Sequence, residues 1–148
     1  MKNGRRFLLA IATPLALASL AAPAAAAVIN VVKTAACGCC GKWVEHMKKA
    51  GHDVRVTNVE DVTPTARKLG VPDDLRSCHT SSVGGYAIEG HVPAADIARL
   101  LKERPKAAGI AVAGMVAGSP GMEMGSNKPS YQTIIFTRDG KRKVFAQH

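Results

Sequence analysis

The sequence predicts an α/β domain with its chemistry at a strand-to-helix junction. Three observations support this. An apolar leader separates from the remainder of the 148-residue chain. Short β-rich runs then alternate with segments of helical periodicity. Cys37, Cys39 and Cys40 fall where the first such run gives way to the first helix.

The leader is read first because it sets the compartment. Lys2, Arg5 and Arg6 form a positive start, and Phe7 to Leu20 an apolar run. The following "AAPAAAA" offers small residues for cleavage after Ala26 or Ala27. Residues 1–27 therefore read as a secretory signal peptide, and 28–148 as one domain. A retained membrane anchor is the alternative. Pro14, Pro23 and the brevity of the apolar run favour cleavage over a span of roughly 20 residues. The expected location is the periplasm, with no membrane association after cleavage. Of the 20 Lys plus Arg, three lie in the leader, so residues 28–148 carry 17 against 11 acids. The charges are scattered and aromatics are few, which reads as a solvated basic surface and not as a nucleic-acid interface.

"VINVVKT" (28–34) reads as a buried strand. "CGKWVEHMKKAG" follows as a helix, with Trp43, Met47 and Ala50 on one face, Lys48 and Lys49 in the last turn and Gly51 as its cap. "HDVRVTNVED" (52–61) reads as a second strand, which completes a βαβ unit with a parallel pair. A short helix starts near Thr63, with Pro64 at its first position, and ends at Gly70. Residues 73–85 read as polar and irregular, carrying Cys78. "YAIEGHVP" reads as strand with Gly90 at a turn or bulge, and 93–105 as the clearest helix, with Ile97, Leu100 and Leu101 on one face. Residues 107–130 read as a long Gly/Pro/Ser-rich loop holding Met115, Met122 and Met124. The chain closes as a hairpin turning at Asp139-Gly140. A CxxC between a first strand and a first helix in such a pattern is thioredoxin-like. The expectation is a mixed central sheet flanked by helices, with the long loop before the terminal hairpin as a departure from the minimal form.

Four cysteines fall in the exported part, an oxidising setting that favours disulfides. Adjacent Cys39 and Cys40 do not pair readily with each other. Two bridges would have to crowd Cys39 and Cys40 onto Cys37 and Cys78. Cys37 stands at a helix N-terminus, where unpaired N–H groups and the dipole favour thiolate. Cys40 lies one turn on, and the two form a candidate redox pair. Cys39 adds nothing to a dithiol relay but serves a thiolate-rich metal site. Thioethers nearby turn that reading from zinc towards Cu(I).

Among the other soft donors, Met47 reads as core and Met115 equally as packing or ligand. Met122 and Met124 flank Glu123 in a turn-like setting open to ligation. His79 beside Cys78, and His91 after Gly90, are candidate ligands against the plain reading of surface or capped histidines. His46, His52 and His148 read as surface residues, and Trp43 as a core plug. Four thiolates on one Cu(I) would leave a charge of −3, costly when partly buried. Several Cu(I) ions bridged by shared sulfurs would relieve it, so a multinuclear cluster is expected.

Taken in order, "CGCCGKW", "SCHT", "GYAIEGHVP" and "AVAGMVAGSPGME" after a leader resemble the CopG-like periplasmic copper-resistance family, formerly a domain of unknown function. The resemblance spans about residues 28–148. It implies a thioredoxin-like fold, copper as Cu(I) or Cu(II), and other periplasmic copper-resistance proteins as partners. Carried over, Cys37, Cys39 and Cys40 match the CxCC motif, Cys78 and His79 the SCHT motif and His91 the GHVP motif. Met115 and Met122 match the methionine loop. Ala113 and Val116 stand where that loop carries prolines, which makes Met115 the least secure transfer.

Three functions compete. The first is a copper-binding resistance protein that interconverts Cu(I) and Cu(II) through Cys37 and Cys40. The second is a periplasmic thiol–disulfide oxidoreductase acting on proteins, which leaves Cys39 and the methionine loop unexplained. The third is a binding module stapled by two disulfides. The first accounts for the most residues.

Overall fold

The computed structural model describes residues 27–126 and 128–148; the leader segment 1–26 lies outside them. The elements run β1 (Val28–Lys33), α1 (Gly38–Lys49), β2 (Asp53–Asn58) and α2 (Thr63–Leu69), then a 3₁₀ turn (Asp73–Leu75). They continue with β3 (His79–Val83), β4 (Tyr86–Glu89), α3 (Ala94–Glu103), β5 (Gly109–Ala111), β6 (Gln132–Phe136) and β7 (Arg142–Gln147). One seven-stranded sheet results, in the order β2-β1-β3-β4-β5-β6-β7.

β1 and β2 pair in parallel across α1, as the βαβ reading requires. β3 and β4 then add as an antiparallel hairpin on the other side of β1. With α3 behind them, these four strands make the thioredoxin-like unit. β5 joins β4 in parallel, and β6 and β7 extend the sheet antiparallel. The fold is therefore α/β and thioredoxin-like, widened by three strands.

Each sheet face has its own core. Ile29, Val31, Ile88 and Ile110 pack with Trp43, Val44 and Met47 of α1 and with Ile97 and Leu100 of α3. Ala87, Ala111 and Phe136 face the other way, onto Ala66, Val71 and Leu75. Ile88/Ala87 and Ile110/Ala111 thus divide between faces by the strand's period of two. Trp43, Met47, Ile97 and Leu100 are fully buried, each contributing about 1.5–3 kcal/mol by leaving water.

Three segments differ from the sequence reading. Residues 73–85 are not irregular: His79–Val83 is a central strand paired on both sides. The ladder satisfies its backbone and Thr80 Oγ1 donates to Glu89 Oε2 at 2.6 Å, while Ser81 Oγ is buried with no partner among the described residues. Gly84 and Gly85, at φ 57° and 91°, make the two-residue turn into β4, a conformation that glycine adopts at little cost. The long loop is also shorter than expected. Gly109–Ala111 forms β5, where Gly109 lies so close to Ala87 that a Cβ would fall 2.1 Å from its carbonyl oxygen. β1 is buried on one face only: Ile29, Val31 and Lys33 are covered, and Val28 and Asn30 are open.

Candidate metal centre

The site forms where three strand ends and one helix start converge. Lys33 ends β1 opposite His79, which begins β3, and Thr80 pairs with Glu89 at the end of β4. Cys37 is the N-cap of α1, with extended backbone (φ −76°, ψ 95°). Cys39 and Cys40 fall in the first turn, so the helix presents its cysteines at its positive end. Cys40 is buried, while Cys37, Cys39 and Cys78 are half-buried.

Cys37 and Cys40 are joined in a disulfide with Cα atoms 5.4 Å apart. Cys39 and Cys78 are free thiols. One bridge and two thiols replace the two-bridge arrangement. Cys78 Sγ is the hub: it lies 3.4 Å from Cys40 Sγ, 3.9 Å from Cys39 Sγ, 3.1 Å from His91 Nε2 and 3.6 Å from His79 Nδ1. Cys39 Sγ stands 3.4 Å from Cys37 Sγ. The four sulfurs all lie within 4.8 Å of one another, and Cys78, His79 and His91 form a second such group. Six of the eight sequence candidates thus meet in one place.

Proton positions follow from the partners. His91 Nδ1 lies 2.8 Å from the Pro120 carbonyl, which can only accept, so Nδ1 carries the hydrogen. Nε2 is then unprotonated, with its lone pair towards Cys78, and the thiol donates to it. A histidine oriented by a backbone carbonyl is the usual arrangement of a metal-ligating imidazole. Burial, then neighbouring His91 and Lys33, push His79 down to about 3, and burial lowers His91 as well. Both imidazoles are therefore neutral at pH 7. Burial and the nearby Cys39 push the Cys78 thiol up to about 11. A soft cation bound at the sulfur would displace that proton, which suits the group to a soft metal. His79 Nε2 is buried with no hydrogen-bond partner among the described residues. An unsatisfied buried nitrogen costs about 1–3 kcal/mol, and it is Nδ1, on the other side of the ring, that faces Cys78.

The methionine loop is tied to this centre by its backbone. Gly121 (φ +85°) abuts α1 so closely that a Cβ would lie 2.7 Å from Trp43 N and 2.8 Å from Cys39 O. Pro120 holds His91, and half-buried Met122 follows directly. At the other end, Gly114 N donates to Arg76 O at 3.0 Å, and Ser77 Oγ donates to Gly114 O. Met115 next to it is 61% exposed, which removes the reading of Met115 as core. Glu123 accepts from Gly121 N and pairs with His46 at 2.7 Å, fastening the loop to α1.

Several residues that matter here carried no sequence signal. Glu89, fully buried, accepts Ser77 N–H at 2.7 Å as well as Thr80 O–H. Arg76 Nε stands 3.7 Å from it. Glu89 so clamps the chain on both sides of Cys78-His79, by the Ser77 backbone and the Thr80 hydroxyl. Burial raises its pKa, and the contacts with Thr80, Ser77 and Arg76 oppose the rise. Trp43 is a core plug as expected, and it also walls the site: its ring lies 4.5 Å from that of His79, and Nε1 donates to Val92 O at 2.9 Å. Two presumed surface histidines are engaged. His46 meets Glu123, and His148 Nε2 lies 2.9 Å from buried Asp96.

No curated protein sequence matches the chain. A family model described as "Protein of unknown function, DUF411" matches residues 75–122, which include Cys78, His79, His91, Met115 and Met122. A solved structure titled "Copper resistance protein copG- Form 2" is 42% identical with a TM-score of 0.79, covering 83% of this chain and 98% of that one. "Copper resistance protein copG- Form 1" is 44% identical with a TM-score of 0.78, covering 82% and 96%. At that identity and coverage, the chain belongs to the CopG family of copper resistance proteins.

Proposed function

We propose that this chain is an exported copper-handling protein that binds Cu(I) through Cys37, Cys39, Cys40 and Cys78. The observation that carries the reading is the convergence of four sulfurs within 4.8 Å beside an imidazole lone pair at His91 Nε2. Thiolate with imidazole is a donor set suited to soft or borderline metals, and similarity to copper resistance proteins supports copper among them. His79 and His91 supply nitrogen, and Met122 and Met115 supply thioethers at the loop edge. Residues 1–27 act as a cleaved signal peptide and 28–148 as the periplasmic domain, which exchanges copper with other periplasmic resistance proteins.

Redox chemistry runs through Cys37 and Cys40. Two Cu(II) ions take one electron each as the dithiol becomes a disulfide and releases two protons. In reverse, a disulfide accepts two electrons from two Cu(I) ions. In the reduced form, bridging thiolates hold more than one Cu(I), because a single ion would leave excess buried negative charge. The test is native mass spectrometry of anaerobically loaded, reduced protein. More than one copper per chain is expected; a strict one-to-one ratio at copper excess overturns the cluster, and no uptake overturns the copper reading.

The Cys37–Cys40 disulfide, with Cys37 half-exposed and Cys40 buried, also favours a second reading as a protein thiol–disulfide oxidoreductase. Turnover of disulfide substrates at the rate of a dedicated oxidoreductase, with no copper uptake, would select it.

A further inference from the structure

Two free thiols flank the disulfide, one on each sulfur. Cys78 Sγ is 3.4 Å from Cys40 Sγ, and Cys39 Sγ is 3.4 Å from Cys37 Sγ. Thiol–disulfide exchange needs a nucleophilic sulfur at the sulfur it attacks, and a stable leaving thiolate. The two possible attacks differ in what they release. Cys39 attacking Cys37 would expel Cys40 as a thiolate at a fully buried position, where desolvation disfavours it. Cys78 attacking Cys40 expels Cys37. That thiolate stands half-exposed at the N-cap of a 12-residue helix with no acid in its first turn, where the helix dipole favours negative charge.

We propose that the disulfide is mobile: Cys78 exchanges with it intramolecularly, so that the oxidised protein holds both a Cys37–Cys40 and a Cys40–Cys78 form. The step balances without an outside oxidant. The Cys78 Sγ–H proton passes to His91 Nε2, the Cys78–Cys40 bond forms, the Cys37–Cys40 bond breaks, and Cys37 leaves as thiolate. The number of disulfides and the electron count are unchanged. The consequence is positional. The first form leaves Cys39 and Cys78 free. The second leaves Cys37 and Cys39, two half-exposed thiols with C-x-C spacing at the rim, so the oxidised protein keeps a two-sulfur chelate open to a soft cation from solvent. This deepens the copper reading, which gives the rim pair its use. The exchange itself is tested without metal, so its failure and that of copper binding are distinguishable.

The experiment maps free thiols in metal-free, singly oxidised full-length mature protein. Thiols are trapped rapidly with maleimide, and the labelled cysteines are identified by peptide mass spectrometry. Wild type is expected to carry label on Cys37 as well as on Cys39 and Cys78, and Cys78→Ser on Cys39 alone. No label on Cys37 in wild type overturns the proposal, as does equal labelling of Cys37 in Cys78→Ser, which would show that the release of Cys37 does not need Cys78. Cys37→Ser gives a second measure: on mild oxidation it is expected to form the Cys40–Cys78 bridge, and failure to form it overturns the proposal.

Discussion

His91 Nε2 lies 3.1 Å from Cys78 Sγ while its Nδ1–H is held by the Pro120 carbonyl at 2.8 Å. Residues from the approach to β3, the turn after β4 and the methionine loop are thereby locked into one unit, and Cys78, just before β3, stands at its centre. Cys78→Ser should lower Cu(I) affinity at least about tenfold, or about 1.4 kcal/mol, because a hydroxyl is a poor ligand for a soft ion. Cys39→Ser should lower the copper count per chain while circular dichroism stays unchanged. Anaerobic titration against a competing chelator measures both. Unchanged stoichiometry in Cys39→Ser would mean that Cys39 is only a neighbour of the site.

The neutral imidazoles make the apoprotein acid-sensitive. His79 is held at about 3 in the fold, against roughly 6.5 in an unfolded chain. Between those values the unfolded state binds a proton that the native state refuses. Stability therefore rises with pH, and it is lost as pH falls below about 6.5, by up to about 1.4 kcal/mol per pH unit. His91 acts in the same direction. Urea midpoints of the metal-free protein should fall from pH 7 to pH 5, and less steeply in His79→Gln. If that variant does not fold, nitrogen NMR of the wild-type imidazoles decides: a protonated His79 ring at pH 5 would refute the argument.

Gly121 tests whether the methionine loop is part of the site. A methyl group there meets backbone atoms of α1, at Trp43 N and Cys39 O, and the φ of +85° is unfavourable for alanine. Overpacking of about 1–3 kcal/mol adds to left-handed strain of about 1–2 kcal/mol. Gly125→Ala carries strain alone, with φ +61° and open space around it. Gly121→Ala should lower the urea midpoint more than Gly125→Ala and should also slow copper loading. Equal effects would show that the loop does not rest on the helix as described.

What could be read from the sequence, and what could not, follows the range of the interactions. The β1–α1–β2 unit was readable because strand composition, helical period and a terminal glycine act locally. Five of the six clustered Cys and His candidates were readable because donors occurred in a pair or a three, and His91, which stands alone, through its match to the GHVP motif. β3 was not, because "HTSSV" has a polar composition and becomes a strand only through partners on both sides. The Gly84-Gly85 turn was its one local signal. Glu89 gave no sign of its role, since a buried carboxylate is explained by Ser77 and Thr80, which reach it only through strand pairing. The part played by Pro120 belongs to a backbone carbonyl and is silent in any side-chain pattern.

Trp43 offers a built-in reporter. It is the single tryptophan of the chain, it is fully buried, and its ring lies 4.5 Å from that of His79. Its emission should therefore be blue-shifted and should quench as copper fills the adjacent site. The quench should end at the copper count found by mass spectrometry. His79→Gln should weaken the response more than His52→Gln, because His52 lines a groove with Ala50, Gly51 and Ala94 and is absent from both donor clusters. Trp43→Phe should abolish the signal and lose the bond to Val92 O, at a cost of about 0.5–1.5 kcal/mol, while copper uptake by mass spectrometry persists. Quenching that continues well past the bound stoichiometry, or responds equally to both histidine substitutions, would place the copper elsewhere.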